Sequence, residues 1–322
     1  MMGLFDDIRT ACRTVAERAE FVRIDYSRIE SYARSLPLKE VAAPSLDPAH
    51  HYLGGSRKTL AFILSLDAIN FGSGWFPHVK KRPGLSGYMT VATSLKEWFE
   101  ARDAVGPEDL VAITPADCAG ILCQEPLDDR PVVAELMALF AKALNDLGRL
   151  VLDQHGGRFG NLLDRAGHSA EALVSLLQEM PFYRDVHQYG DLSVPFYKRA
   201  QITAADLSVA FRDHKWGRFD DIANLTIFAD NLVPHVLRMD GLLQFDPDLL
   251  ARIHRQEPIP SGSPEEIEIR ACGLTAVERI VDALRDRGVA VIARDLDYFL
   301  WNRGQQPRYK AEPRHRTRCV YY

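Results

Sequence analysis

The chain has 322 residues, enough for one large domain or two of ordinary size, and 47% of them are hydrophobic and 26% charged. This is the composition of a globular protein, so a disordered, collagen-like or simple coiled-coil chain is excluded. The 39 basic and 44 acidic side chains give a net charge of −5, which disfavours the binding of long nucleic acids, since that binding normally uses a basic surface.

Cysteine usage and apolar runs set the expected cellular context. The five cysteines are dispersed and form no C-x-x-C pair, so neither a disulfide framework nor a zinc knuckle is predicted. The longest apolar run, 60–66, is interrupted by Ser65 and is too short to span a bilayer. The first residues carry charges and no apolar stretch of signal-peptide length. We therefore expect a soluble, cytoplasmic protein.

Helical patterns dominate the chain from its start. Ile8, Cys12 and Val15 recur at spacings of four and three, which predicts an amphipathic helix near the N-terminus. Glycine at position 148 is expected at a helix end. Further helix starts are predicted from N-cap signals at Thr114, Thr203, Asp246 and Ser263, the last with the spacing of a full capping box.

Strand signals are few. The best are the apolar segment 288–292 and the terminal segment 318–322. No Pro/Ser-rich linker divides the chain, and no repeat of solenoid length is present. These patterns predict a mainly α fold with minor β, a compact helical bundle-like arrangement in which residues 1–322 form a single domain, with two interleaved lobes.

Several catalytic motifs are absent. The sequence has no P-loop, no G-x-G-x-x-G after a strand, no G-x-S-x-G and no H-E-x-x-H. The adjacent His50 and His51 suit a loop better than a helical metal chelate. No metal site and no cofactor are predicted. Catalysis would then depend on carboxylate, lysine and aromatic side chains.

Two segments combine charged and aromatic residues before or after a predicted helix. Asp67 ends an apolar helix and is followed by Asn70 and Phe71 in a glycine-rich turn, which suits either the mouth of a pocket or a solvent-facing acid. Lys198 and Arg199 lie between aromatic residues and the predicted cap at Thr203, which suits either an anion site or a surface basic pair.

Three further segments place charges among apolar residues. Asp230 follows an apolar run, so it is either a partly desolvated carboxylate suited to catalysis or the cap of the next helix. Glu268 and Arg270 are explained most simply by a buried ion pair. The aromatic stripe at 296–303 is typical of a protein core.

Six segments together resemble one family, the queuosine salvage proteins (queuosine 5′-phosphate N-glycosylase/hydrolases). They are LDAINFGSGWFP, VPFYKRAQI, GRFDDIANLTIFADNLVPHVLR, PSGSPEEIEIRACGLTAVE, LDYFLWNRG and HRTRCVYY. The resemblance implies an N-glycosidase that hydrolyses queuosine 5′-monophosphate to queuine and ribose 5-phosphate. It also implies a helical fold related to DNA glycosylases. The chain departs from the family pattern after its FAD motif, where Asn231 and Leu232 replace a tyrosine and an arginine.

Within the implied reaction, Asp230 and Lys198 are assigned the catalytic roles. Cleavage of an N-glycosidic bond develops oxocarbenium character on the ribose, which the Asp230 carboxylate in the FAD motif would stabilise. Lys198 is expected to stabilise the departing negative charge or to orient the attacking water. Queuine is a 7-deazaguanine without the N7 that ordinary purine glycosylases protonate, so other contacts must assist its departure.

The remaining candidates are assigned to substrate binding. Asp67 is expected to bind the cationic amine arm of queuine, and Phe71 and Phe228 to stack on the flat base. Arg199 or Lys58 is expected to bind the 5′-phosphate. The full set of predicted binding residues is Asp67, Asn70, Phe71, Phe228, Asn231, Arg199, His51 and Lys58.

Two other functions stay open at this point. A non-catalytic carrier of queuine or its nucleotides would use the same pocket, and a DNA-glycosylase-like enzyme would act on a polymer, against which the net charge argues. The predicted partner is a small molecule, with no polymeric nucleic acid and no membrane, and the chain is expected to act as a monomer.

Overall fold

The structure, a computed structural model, describes residues 3–37, 44–212 and 214–322. Within these residues it contains fifteen α-helices and two small two-stranded sheets. The predicted fold class, mainly α with minor β, is confirmed. The relation to DNA glycosylases and the assignment of the whole chain to a single domain stay predictions.

The helices differ widely in length, and two of them, α7 and α13, exceed twenty residues. In chain order the α-helices are α1 (Leu4–Arg18), α2 (Ile29–Ser35), α3 (Ser56–Ala68), α4 (Gly87–Glu100), α5 (Pro107–Ala112), α6 (Pro115–Ile121), α7 (Pro131–Gln154), α8 (Phe159–Ala166), α9 (Ala170–Leu177), α10 (Lys198–Ala210), α11 (Leu232–Met239), α12 (Pro247–His254), α13 (Pro264–Arg285), α14 (Ala293–Arg303) and α15 (Pro307–Lys310). None of the helices in the described residues is both long and apolar enough to cross a membrane.

The strands form two antiparallel pairs. They are β1 (Val22–Ile24), β2 (Val186–Tyr189), β3 (Leu192–Pro195) and β4 (Leu243–Phe245). β1 pairs with β4, with Val22 opposite Phe245, and β2 pairs with β3 as a hairpin. Short 3-10 turns occur at Tyr26–Arg28, Pro181–Tyr183, Lys215–Gly217 and Ile222–Asn224.

The chain divides into two compact units, each built from separate stretches of sequence. Unit 1 comprises Met1–Pro44, Asp185–Lys198 and Ala223–Arg318. Unit 2 comprises Ser45–Arg184, Arg199–Ile222 and Cys319–Tyr322.

The core of unit 1 is built around α13. This helix contacts α1, α2, α11 and α14, and most of its residues are buried. The predicted N-terminal helix is confirmed as α1, which buries Ile8, Cys12 and Val15. Ser263 caps α13 as predicted, since its Oγ accepts the Glu266 N–H. The Glu266 carboxylate, however, accepts the N–H of Gly262, so the reciprocal bond of a capping box is not formed to Ser263.

The core of unit 2 is built around α7, which contacts α3, α5 and α6. The predicted helix end at Gly148 is wrong, because this glycine lies inside α7. A Cβ at this position would lie 2.5 Å from the carbonyl oxygen of Pro107, so glycine allows α5 to approach α7 closely.

Three other local predictions are wrong. Thr203 lies inside α10 and donates to the carbonyl of Arg199, instead of capping the helix. Neither 288–292 nor 318–322 forms a strand. In the first of these segments Val291 N–H is bonded locally to the carbonyl of Val289, and a strand ladder would need that donor.

Candidate active site

Asp230 lies in unit 1, between a buried segment and the first turn of α11. Its Oδ1 accepts the N–H groups of Leu232 at 2.7 Å and Val233 at 3.1 Å, so the predicted capping role is confirmed. The side chain is partly exposed, and no residue that the structure describes donates to Oδ2. The two N–H groups at the helix N-terminus fix one oxygen, which leaves the second oxygen for a ligand.

Asp297, on α14, is a second carboxyl group beside Asp230. It is buried, and its Oδ1 accepts the N–H of Phe228 at 3.0 Å. Burial raises the pKa of Asp297 well above its ordinary value, and the charge of Asp230 raises it further, while the Phe228 N–H and the Lys198 charge act in the opposite direction. The protonated form of Asp297 is therefore favoured, next to a carboxylate that accepts two N–H groups at a helix N-terminus.

Lys198 is the first residue of α10 and is buried. Its N–H donates to Oδ2 of Asp185 at 3.1 Å, and the Asp185 carbonyl accepts the N–H of Phe196 at 2.9 Å. The intervening Tyr197 has φ of 48°, a left-handed conformation that is uncommon for an aromatic residue. Asp185 thus fixes a sharp reversal of the chain just before Lys198, in place of the predicted cap at Thr203.

Arg270, on α13, connects the two segments that carry Lys198 and Asp230. Its guanidinium donates to both carboxylate oxygens of Asp185, at 3.0 and 2.6 Å, and its Nε donates to the carbonyl of Ala229 at 2.9 Å. Burial by itself would raise the pKa of Asp185, but the Arg270 charge and the hydrogen bonds from His187 and Arg270 hold it well below its usual range. One fully buried guanidinium therefore holds the neighbours of both predicted catalytic residues.

The predicted pair between Glu268 and Arg270 is wrong, although both side chains are buried. Glu268 accepts the N–H groups of Phe21 and Val22 at 2.6 and 2.9 Å, whereas Arg270 pairs with Asp185. Residues two positions apart on a helix do not share a face, which explains why these two charges find different partners.

Two further predicted residues belong to unit 1. Asn231 is buried, and its Nδ2 donates to the carbonyl of His315 at 3.2 Å, so this amide ties the C-terminal segment to the residue after Asp230. Phe228 is half-buried, and its N–H is the donor to Asp297. Their predicted contacts with substrate stay predictions.

Arg199, in unit 2, has a buried guanidinium that is bonded to main-chain carbonyls. Its side chain is 2% exposed, and its guanidinium donates to the main-chain carbonyls of Asp67, Ala68 and Phe182. It also lies over the ring of Phe71, 4.9 Å from the centroid. The guanidinium is thus engaged by the protein, and the predicted contact of Arg199 with the 5′-phosphate stays a prediction.

The acid, amide and aromatic residues near the end of α3 also belong to unit 2. Asp67 is fully buried, so the solvent-facing interpretation is wrong. Phe71 is buried with its ring edge-to-face against Phe140, at a centroid distance of 5.0 Å. Asn70 is partly exposed, and its N–H donates to the Asp67 carbonyl at 3.3 Å. The substrate contacts predicted for Asp67, Asn70 and Phe71 stay predictions.

His51 and Lys58 lie elsewhere in unit 2. His51 is buried, with Nδ1 at 2.9 Å from the Asp47 carbonyl and Nε2 at 3.3 Å from the Tyr88 hydroxyl. Burial lowers the pKa of His51, so the imidazole is neutral at pH 7. The Lys58 ammonium donates to the carbonyl of Arg102. Both side chains are engaged by the protein, and their roles toward substrate stay predictions.

Comparison with known proteins identifies the family. Over residues 50–322 the sequence matches the family described as queuosine salvage protein. The chain belongs to this family. It is 37% identical over 320 residues to a queuosine 5′-phosphate N-glycosylase/hydrolase from Sphaerobacter thermophilus, covering 98% of this chain and 97% of that protein. Proteins of the same name from Mus musculus and Bos taurus are each 29% identical, with 98% of both chains covered.

The family resemblance inferred from six sequence segments is thus confirmed, but sequence reasoning missed one acid inside those segments. LDYFLWNRG contains Asp297, which the aromatic stripe assigned to the core. The sequence did contain a signal, an acidic residue among the apolar residues of a helix. Acids are rarely buried, and a buried acid often indicates a functional site.

Asp230, Asp297 and Lys198 form the unit 1 cluster, which gives this queuosine salvage protein groups suited to acid–base chemistry. Asp230 provides a carboxyl group with one oxygen fixed at a helix N-terminus, Asp297 a buried carboxyl group whose pKa is raised, and Lys198 a positive charge. Two neighbouring carboxyl groups with different surroundings are typical of acid–base sites. Among the described residues, no group of three or more His, Cys, Asp or Glu could hold a metal ion.

Proposed function

We propose that this chain hydrolyses the N-glycosidic bond of queuosine 5′-monophosphate and releases queuine and ribose 5-phosphate for queuine salvage. Near-full-length similarity to relatives that bear the corresponding name supports the proposal. The observation that carries it is Asp230, which has one oxygen fixed by α11 and the other without a protein donor among the described residues, beside Asp297, whose pKa is raised.

The proposed reaction balances without a cofactor. The bond between C1′ and the glycosidic nitrogen breaks, and its electron pair leaves with the base. Water adds its oxygen to C1′ and loses one proton, while the base gains one. Asp230 stabilises the positive charge that develops on the ribose, Asp297 donates the proton to the departing base, and the proton that the water loses restores Asp297. Lys198 stabilises the negative charge on the base before that proton arrives.

In this proposal the enzyme acts in the cytoplasm as a monomer, on a free nucleotide. The net charge of −5 supports a small substrate, because a polynucleotide would require a broad basic surface. A membrane partner, a cofactor and a metal are not part of the proposal.

We expect the 5′-monophosphate to be processed at least ~10-fold better than the nucleoside, because charge-assisted contacts with phosphate contribute roughly 1.5–3 kcal/mol each. Intact tRNA should release almost no queuine. The measurement is kcat/KM for the three substrates across a salt series, with queuine detected by mass spectrometry. A preference for the nucleoside, or a steep salt dependence with tRNA, would contradict the proposal.

Asp297→Asn is expected to lower turnover by at least ~10²-fold, because the amide cannot donate the proton that the carboxyl group carries. The fold should survive, since the amide oxygen can still accept the N–H of Phe228.

Folded Asp297 keeps its proton at pH values where the unfolded carboxyl has lost it, so wild-type stability falls as pH rises above about 4. The variant should therefore be at least as stable as the wild type at pH 7 and should lack this slope.

Asp295→Asn is the matched control, because Asp295 lies on the same helix, is partly exposed and pairs with Arg294 at 2.9 Å. Turnover at pH 7 and urea unfolding between pH 5 and 8 are measured for both variants. If Asp297→Asn keeps wild-type turnover, Asp297 is not the proton donor. If it keeps the wild-type pH slope, the carboxyl group is not protonated in the folded enzyme.

A further inference from the structure

Arg314 lies in the C-terminal segment of unit 1, next to the candidate catalytic residues. The backbone on both sides of Arg314 is fixed by side chains of the Asp230 region. The Pro313 carbonyl accepts a hydrogen bond from Arg238 at 3.1 Å, and the His315 carbonyl accepts one from Asn231 at 3.2 Å. The position of Arg314 is therefore set by Asn231 and by a residue of α11, the helix that Asp230 caps.

The guanidinium of Arg314 is partly buried and has no partner among the residues that the structure describes. It makes no hydrogen bond and no ion pair with them, although an arginine carries five N–H donors. Burial lowers the pKa of Arg314, and the charge of Asp230 acts in the opposite direction. A desolvated cation without a partner is costly, so this position suits the binding of an anion.

The two cations that the sequence suggests for the phosphate are both engaged within the protein. Arg199 is buried against main-chain carbonyls, and Lys58 donates to the carbonyl of Arg102. In a ribose 5-phosphate, C1′ and the phosphate lie at opposite ends of one small molecule. The charge of Asp230 acts on Arg314, but the two side chains form no ion pair. This is the arrangement expected if Asp230 faces C1′ and Arg314 faces the phosphate.

We propose that Arg314 binds the 5′-phosphate of the substrate and sets the preference for the monophosphate over the nucleoside, an inference that rests on the proposed function. The planar guanidinium can donate to two phosphate oxygens at once. Its positive charge offsets the repulsion between the phosphate and the negative charge of Asp230. Asn231 contributes by holding the chain at His315, so its role is to position Arg314.

The test compares Arg314→Met and Arg314→Lys on two substrates. Arg314→Met should lower kcat/KM for queuosine 5′-monophosphate by at least ~10-fold and change the value for queuosine less than ~3-fold. Arg314→Lys should retain part of the preference for the monophosphate, because lysine keeps the positive charge but lacks the two parallel N–H donors of the guanidinium. Arg316→Met is the control, since Arg316 is two residues away and donates to Gln256 at the surface. It should behave as the wild type.

Binding of ribose 5-phosphate, measured by calorimetry, gives a second readout that does not need turnover. Arg314→Met should weaken this binding at least ~10-fold relative to the wild type and to Arg316→Met. An equal loss of kcat/KM on both substrates, with unchanged ribose 5-phosphate binding, would show that Arg314 acts only on the Asp230 charge and would overturn the inference. Wild-type behaviour of Arg314→Met would also overturn it.

The proposed function fails by a different result. If the wild-type protein releases no queuine from the monophosphate, the proposed reaction is wrong. The ribose 5-phosphate titration would still decide whether Arg314 binds phosphate.

Discussion

Replacement of Asp230 by asparagine is expected to lower turnover of queuosine 5′-monophosphate by at least ~10²-fold, the scale typical for loss of a group that stabilises transition-state charge. The amide keeps an oxygen that accepts the N–H groups of Leu232 and Val233, so α11 should stay capped. It removes the negative charge that opposes the developing oxocarbenium ion. The measurement is kcat from queuine release, with circular dichroism to verify the fold.

A matched control separates this catalytic role from the capping role. Oδ1 of Asp246 accepts the N–H groups of Asp248 and Leu249 at 2.9 and 3.3 Å, in the first turn of α12. Asp246→Asn should therefore change stability as little as Asp230→Asn does, and it should leave turnover unchanged. Near-normal turnover in Asp230→Asn would show that Asp230 caps α11 and has no catalytic role.

A second expectation follows from the coupling of the two carboxyl groups. The charge of Asp230 contributes to the raised pKa of Asp297. Its removal should move that pKa back toward its ordinary value, although burial still raises it. The loss of turnover in Asp230→Asn thus includes a change in its acidic neighbour, and a double substitution with Asp297→Asn should cost less than the two single losses combined.

Local sequence signals predicted helix starts well where the capping atoms are local. Thr114, Asp246 and Ser263 all cap the helices they were expected to cap, because each accepts an N–H within three residues. Thr203 fails because α10 is capped from Asp185, thirteen residues before Lys198. A cap supplied by a preceding segment has no fixed spacing, so single-sequence patterns do not reveal it.

The candidate site was predictable to the extent that its residues lie in family segments. Asp230 and Lys198 were chosen on that ground, and the structure adds surroundings that sequence spacing cannot provide. The contact between Phe228 and Asp297 spans 69 residues, and that between Asp185 and Arg270 spans 85. Pairings at such distances depend on how the helices pack, so the sequence left Asp297 unnoticed within an aromatic core stripe and assigned Arg270 to a pair with Glu268.

Arg270→Lys is expected to lower turnover ~10–10²-fold in molecules that remain folded, since a displacement of about 1 Å in a reacting group has a cost of that order. The lysine keeps a positive charge near Asp185. It cannot donate to both Asp185 oxygens and to the Ala229 carbonyl together, so the segments before Lys198 and Asp230 lose their common support. The measurement is kcat and KM at a temperature where the variant is folded by circular dichroism.

Loss of stability alone must be distinguished from this positioning role. Arg270→Met should destabilise the fold by about 3–5 kcal/mol, because it leaves the buried Asp185 charge uncompensated, and it is a stability reference only. Glu268→Gln is the matched control for activity. Glu268 is buried on the same helix but accepts N–H groups at Phe21 and Val22, away from the cluster. It should lower stability by about 1–3 kcal/mol and leave kcat unchanged.

Asp185→Asn tests whether Arg270 acts through the Asp185 connection. The new amide nitrogen is itself a donor, and both carboxylate positions that it could occupy face donors. The Oδ2 position faces the Arg270 guanidinium and the Lys198 N–H, and the Oδ1 position faces the Arg270 guanidinium and His187. If one connection holds the catalytic residues, the double variant Arg270→Lys/Asp185→Asn should lose little more kcat than the worse single variant. Additive losses would show that the two residues act independently, and an unchanged kcat in Arg270→Lys would leave Arg270 a role in stability alone.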